Sequence, residues 1–193
     1  MAFYINLDYR EDRRKKFEKE CAKMKLHVER FPGITGELTP SHGCTRSHIE
    51  VLKIARARGL PSVLIFEDDF QFLVSREDFE EVMQNLPEDY DVVMLSYNLF
   101  KSNPYNERFG RAIDVQTASG YVVHSRFYDT LIDTLEEGYN LFVEHPGHHW
   151  LYINDQYWKK LQPVSRWYYS LVRVGQQCPG YSDLAQRVVE YGV

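Results

Sequence analysis

The chain switches between short unbroken apolar runs and longer stretches in which apolar residues recur every three or four positions. The first pattern is that of a strand covered on both faces, the second that of a helix lying on a sheet. Residues 2–7, AFYINL, form the first run, and Asp8, Arg10 and Asp12 mark a polar turn after it. A helix follows, with Asp12 as its N-cap and Phe17, Cys21 and Met24 on one face. A second short strand around residues 27–31 ends at Pro32-Gly33. Thr39 as cap, Pro40 at the first helical position and Gly59 before Pro61 bracket the next helix, whose apolar set includes Ile49, Leu52 and Ala55. Residues 63–66 form a continuous apolar run, hence a central strand. Ser75 and Asp78 begin a helix carrying Phe79, Val82, Met83 and Leu86.

The next buried strand is DVVMLSY, residues 91–97. A polar stretch spanning residues 101–111 separates it from extended segments at 112–116 and 120–123. A helix over 126–137 closes at Gly138. Beyond it come an aromatic, histidine-rich loop, a short helix near 155–161, a strand-like SRWYYSLVRV and an irregular tail, QQCPGYSDL. Strands alternating with helices predict one α/β domain over residues 1–193, with a mainly parallel central sheet and helices on both faces. The same domain inside a larger protein is equally compatible with the pattern.

Composition narrows the function. With 44% hydrophobic residues in 193, the chain can bury a real core. A formal net charge of -5 argues against an electrostatic nucleic-acid binder, because neutralising phosphates needs a basic surface, although local basic clusters stay open. The cysteines, Cys21, Cys44 and Cys178, are odd in number and form no CxxC pair, which suits reduced thiols better than a disulfide frame or a zinc finger. No apolar run reaches the length of a transmembrane helix, and the acidic opening residues make no signal peptide. A soluble, cytoplasmic protein is the expectation, in the host cytoplasm if the source is viral.

The candidate chemistry sits at the end of the central strand, in VLIFEDDF, residues 63–70. Glu67, Asp68 and Asp69 would repel one another unless a positive charge lies between them. A hard divalent cation with oxygen ligands is one solution, and a solvated acidic turn is the alternative. In open α/β sheets ligands bind at this strand edge.

The segments FYINLDYREDRRKKFE, ERFPGITGELTP, GCTRSHIEVLKIARARGLPSVLIFEDDF, DVVMLSY and TASGYVVHSRFYDTL, in that order and spacing, resemble glycosyltransferase family 25 across nearly the whole chain. The resemblance implies a GT-A fold in which a D/E-x-D motif holds Mn²⁺ or Mg²⁺ against the diphosphate of a nucleotide sugar. It implies a hexose transferred from a UDP-sugar to a hydroxyl on a glycan or glycoprotein, with inversion. Glu67, Asp68 and Asp69 match the motif. Asp69 is then the direct ligand, Glu67 the contact to ribose or to metal-bound water, and Asp68 the acid least expected to touch the metal. Asn6, Leu7, Arg10 and Arg14 match the opening donor segment, and Ser47 and His48 match the family's "SH". For each arginine a solvated basic helix face is the equal alternative, and for His48 a hydrogen-bonded core histidine. Asp155, at the start of a short helix, is the candidate base, although an ordinary acid at a helix N-terminus reads the same.

HPGHH, residues 145–149, lacks the spacing of a catalytic zinc site. His148, His149 and Trp150 read instead as an acceptor-side or pyrophosphate-side loop, with core packing as the alternative for the neighbouring aromatics. A phosphoreceiver domain would place its acids near the start of the chain, and a haloacid-dehalogenase phosphatase would follow its DxD with Gly-Thr rather than Phe70-Gln71. A non-catalytic binding relative of the same fold fits the sequence as a further alternative.

Overall fold

The computed structural model describes residues 1–182 and 187–189. Its centre is an eight-stranded sheet of β1 (Ala2–Asn6), β2 (Val28–Pro32), β3 (Ser62–Glu67), β5 (Val92–Met94), β6 (Asn98–Pro104), β7 (Phe109–Gln116), β8 (Gly120–His124) and β9 (Trp167–Ser170). The strand order is β2-β1-β3-β8-β5-β9-β7-β6. β1 pairs in parallel with β2 and β3, and β5 with β9, whereas β8 and β7 run against both of their neighbours. All the other strands therefore point one way, and the carboxyl ends of β1 and β3 open at the same edge. Small two-stranded ribbons join β4 (Phe70–Phe72) to β10 (Gly175–Gln177), and β11 (Gly180–Ser182) to β12 (Arg187–Val189).

Alternate strand residues feed two cores, as the period of a strand requires. On one face Phe3, Val63, Ile65, Val123 and Trp167 pack against α2 (Pro40–Ala57) and α4 (Tyr128–Glu144). On the other Tyr4, Leu64, Phe66 and Val122 pack against α1 (Glu11–Lys23) and α3 (Arg76–Gln84). The expected α/β architecture with helices on both faces is the one observed. Among the described residues no helix is long and apolar enough to cross a membrane.

Several boundaries differ from the sequence reading. Arg10, not Asp12, occupies the N-cap of α1, and Asp12 sits in the first turn paired with Arg10. Thr39 caps α2 as expected, and Ser75 with Asp78 forms a full capping box on α3. The polar stretch after residue 97 is an edge strand, β6, whose outward polar side chains and Pro104 hide the strand signal. α4 runs through Gly138 to Glu144, because a Cβ there would lie 2.7 Å from the Tyr157 ring. That glycine is a packing requirement and not a stop. Two short helices, α5 (His149–Tyr152) and α6 (Asn154–Tyr157), follow. The tail called irregular supplies β10 and β11.

Candidate active site at the carboxyl edge of the sheet

β1 ends at Asn6, directly beside the acids that follow β3. Asn6 Nδ2 donates to Asp68 Oδ2 at 2.7 Å, and its Oδ1 accepts from Arg30 Nε at 3.0 Å. Arg13, one turn into α1, places Nη1 3.0 Å from Asp68 Oδ1 and 3.3 Å from Asp69 Oδ2. From β10, Gln177 Nε2 donates to the same Asp69 oxygen at 3.0 Å. Asp69 Oδ1 is buried and has no hydrogen-bond partner among the described residues. Burial, then the Glu67 charge, raises the Asp69 carboxyl to about 7, and burial also raises Asp68. In both, burial outweighs the lowering effect of the Arg13 charge.

Glu67 behaves oppositely. Burial, the largest influence, pushes it up, but the hydrogen bond and charge of His48, the Cys44 thiol and the Arg13 charge together leave it below the usual carboxylate value. His48 Nε2 lies 3.1 Å from Glu67 Oε1, and its Nδ1 lies 2.8 Å from the Tyr121 hydroxyl. The carboxylate fixes Nε2 as the protonated nitrogen, so Tyr121 donates to Nδ1. Cys44, one turn before His48 on α2, has its sulfur 3.6 Å from the same Glu67 oxygen.

Two clefts meet at this edge. The first runs from Leu7 and Arg10 past Ile34 to the three acids. Its wall is the loop before α2, held close because a Cβ on Gly43 would lie 2.1 Å from the Ile34 carbonyl. Ser47 latches the same loop, accepting from Ile34 N–H at 2.8 Å and donating to the Gly43 carbonyl at 2.8 Å. The second cleft is lined by amide side chains, Asn98, Gln116, Asn154 and Gln177, together with Asp155. Cys44, Glu67 and Gln177 belong to both.

Asp155 Oδ2 accepts from the Thr117 backbone N–H at 3.1 Å, while its Oδ1 is buried with no hydrogen-bond partner among the described residues. Burial raises its carboxyl above the ordinary value, against the lowering effect of the Thr117 bond. Thr117 holds φ at 90°, a region costly for a β-branched residue, so backbone strain accompanies the N–H that grips Asp155.

The structure thus brings together Asn6, Leu7, Arg10, Ser47, His48, Glu67, Asp68, Asp69 and Asp155. It places Arg14 elsewhere, 3.0 Å from Glu18 on the outer face of α1. His148 and Trp150 are exposed, ring edge to ring, and line neither cleft. The His149 side chain lies outside the described residues. Arg13 was missed, yet it stands four residues before buried Phe17 and eight before Cys21, the spacing of an inward stripe. Gln177 had no such signal.

Asp68 and Asp69 reach the same Arg13 nitrogen, and the buried Asp69 Oδ1 keeps a lone pair with no partner among the described residues, a donor that fits a hard divalent cation. The mixed sheet, with acids at the end of its third strand, has a fold of the GT-A type.

The chain is 31% identical over 120 residues to inactive glycosyltransferase 25 family member 3 of Mus musculus, which agrees with the resemblance read from the motifs. That match covers 58% of this chain and 19% of the relative, so the chain spans about a fifth of the mouse protein. Two solved structures are similar over nearly their whole length. One is a glycosyltransferase involved in the glycosylation of the major capsid of PBCV-1, with a TM-score of 0.57, 11% identity and coverage of 96% of this chain and 95% of that one. The other is A197 from STIV, with a TM-score of 0.56, 12% identity and coverage of 97% and 92%. No known family profile matches the chain.

Proposed function

We propose that the chain is a divalent-metal-dependent glycosyltransferase that moves a hexose from a nucleotide sugar, a UDP-sugar, to a hydroxyl of a glycan or glycoprotein with inversion. The observation that carries this reading is the joining of two clefts at Glu67, one ending in buried acids and the other in Asp155 with an unshared oxygen.

Asp69, with Glu67 and Asp68 beside it, would hold Mn²⁺ or Mg²⁺, which when bound offsets the charge of the diphosphate leaving group. Leu7 and Ile34 give the first cleft an apolar stretch suited to a nucleoside base. Arg13 faces the same acids and can turn its guanidinium to phosphate oxygens once those acids are otherwise neutralised. In the second cleft Asp155 Oδ1 would accept the proton of the acceptor hydroxyl as that oxygen attacks the sugar. The amides around it can hydrogen-bond the remaining sugar hydroxyls, and the Thr117 N–H fixes the carboxylate in place.

Incubation with Mn²⁺ and a panel of UDP- and GDP-sugars tests the proposal. Thermal stabilisation by UDP that needs the metal, with nucleotide release from one sugar, is expected. A second reading, a non-catalytic relative, is favoured by the "inactive" in the mouse relative's name and by the Arg13 side chain already bridging two of the acids. Binding of UDP with neither hydrolysis nor transfer would select it, and no response to any nucleotide would overturn both.

A further inference from the structure

We propose that Cys44, His48 and Glu67 form a second cation site, for a borderline-soft divalent ion of the Zn²⁺ type. It shares Glu67 with the neighbouring cluster of Asp68 and Asp69 and differs from it in offering sulfur and nitrogen. One thiol sulfur, one imidazole nitrogen and one carboxylate oxygen lie within 4.8 Å of one another. In a tetrahedral site with Zn–N and Zn–O near 2.0 Å and Zn–S near 2.3 Å, ligand-to-ligand edges are about 3.4 Å for nitrogen to oxygen and about 3.6 Å for sulfur to oxygen. The observed separations are 3.1 Å from His48 Nε2 to Glu67 Oε1 and 3.6 Å from Cys44 Sγ to the same oxygen. Two of the three separations are thus close to those of such a site, and the third, from sulfur to nitrogen, lies within 4.8 Å.

Three further features support it. Cys44 and His48 are one turn apart on α2, so a rigid helix face presents both. The other ring nitrogen of His48 already has a partner, the Tyr121 hydroxyl at 2.8 Å, the outer-shell bond that orients metal-ligating histidines. A thiolate and a carboxylate together balance a divalent charge, so the buried assembly is neutral. Three protein ligands leave a fourth position, and because Cys44 and Glu67 line both clefts, that position opens towards them. On binding, the ion takes the Nε2 lone pair. The imidazole proton moves to Nδ1 and is donated to the Tyr121 oxygen, and the Cys44 proton is released to solvent. No redox partner is involved, and the site stands whether or not the chain transfers sugar.

Titrating the metal-stripped full chain with Co²⁺, read by absorption, tests this. Expected are tetrahedral visible bands and a thiolate-to-cobalt charge-transfer band, saturating at one equivalent and bleached by Zn²⁺. Cys44→Ser should abolish the charge-transfer band, and Tyr121→Phe should weaken Zn²⁺ binding about tenfold by loosening His48. Melting each variant without metal checks its fold. If Cys44→Ser melts early, Glu67→Gln serves instead and should cost the tetrahedral bands. Absence of the thiolate band in the unmodified chain would overturn the proposal, as would a band that survives Cys44→Ser and disappears in Cys178→Ser.

Discussion

Two buried aspartates at opposite edges of the same sheet, each beside an arginine, show what a functional carboxylate looks like. At the amino edge, Asp91 before β5 accepts from Arg166 backbone N–H at 2.9 Å and Nε at 3.1 Å through Oδ2, and from Arg166 Nη2 at 2.9 Å through Oδ1. Both oxygens are engaged, and the pair staples the starts of two parallel strands. At the carboxyl edge, Asp69 shares Arg13 with Asp68 and leaves Oδ1 buried with no partner. A buried unmet lone pair costs free energy. Asp91 has both oxygens engaged within the folded chain, whereas Asp69 keeps one oxygen without a partner among the described residues, the position that the proposal gives to the metal.

The largest test of that contrast is Asp69→Asn. It should remove metal-dependent stabilisation by UDP and lower turnover by at least about 100-fold, the scale of losing one electrostatic group aimed at developing charge. Without metal it should melt no earlier than the parent at neutral pH. The sign follows from linkage: a carboxyl raised from 3.8 to about 7 in the folded state loses stability as pH rises between those values, and the amide removes that penalty. Early melting without metal would make Asp69 a structural acid like Asp91.

Asp155 extends the contrast to the second cleft. Asp155→Asn should cut turnover about 100-fold or more while leaving UDP and metal binding unchanged, since Asp155 lines the amide-lined cleft and not the one that holds Asp68 and Asp69. In the parent chain kcat/KM should fall on acidification with a pKa above 3.8, because burial raises this carboxyl and only its ionised form accepts a proton. A flat profile with unchanged turnover in the variant would remove Asp155 from the chemistry.

The two aspartates differed in the sequence as well. EDD at the end of an apolar run drew attention to the carboxyl edge because three like charges there repel unless a counter-charge lies between them, whereas Asp91, opening DVVMLSY, carries no such signal. Its arginine partner is 75 residues away, a pairing no local pattern encodes. The same distance hid Gln177, which reaches Asp69 from the tail, and Tyr121, which sets His48. Local signals located α2, with its Thr39 cap, and β3. They failed at β6, an edge strand with polar side chains, and at Gly138, where tertiary packing and not a turn requires the glycine. HPGHH drew attention through composition alone, and its described side chains line neither cleft.

Asp91→Ala tests the amino edge. It should leave UDP and metal binding intact and destabilise the fold by about 2 kcal/mol, read as a lower denaturant midpoint at constant slope. That lies below the figure for breaking a fully buried pair, because Arg166 is 43% exposed and regains water. Loss of donor binding with unchanged stability would reverse the assignment of the two edges.

The smallest expected effect separates neighbouring arginines on α1. Arg14 pairs with Glu18 four residues on, both half-exposed, and such a solvent-screened pair contributes little. Arg14→Ala should therefore change stability and donor binding by no more than experimental scatter. Arg13→Ala should behave differently on each count. Without metal, Asp68 and Asp69 lose their shared cation, so the variant should melt earlier. With metal present that deficit should shrink, because the ion supplies the charge that the guanidinium had given. UDP affinity measured at saturating metal then isolates the phosphate role: a fall in Arg13→Ala alone places that side chain on the diphosphate. Equal affinity in both variants would leave Arg13 as the counter-ion of the empty cluster and nothing more.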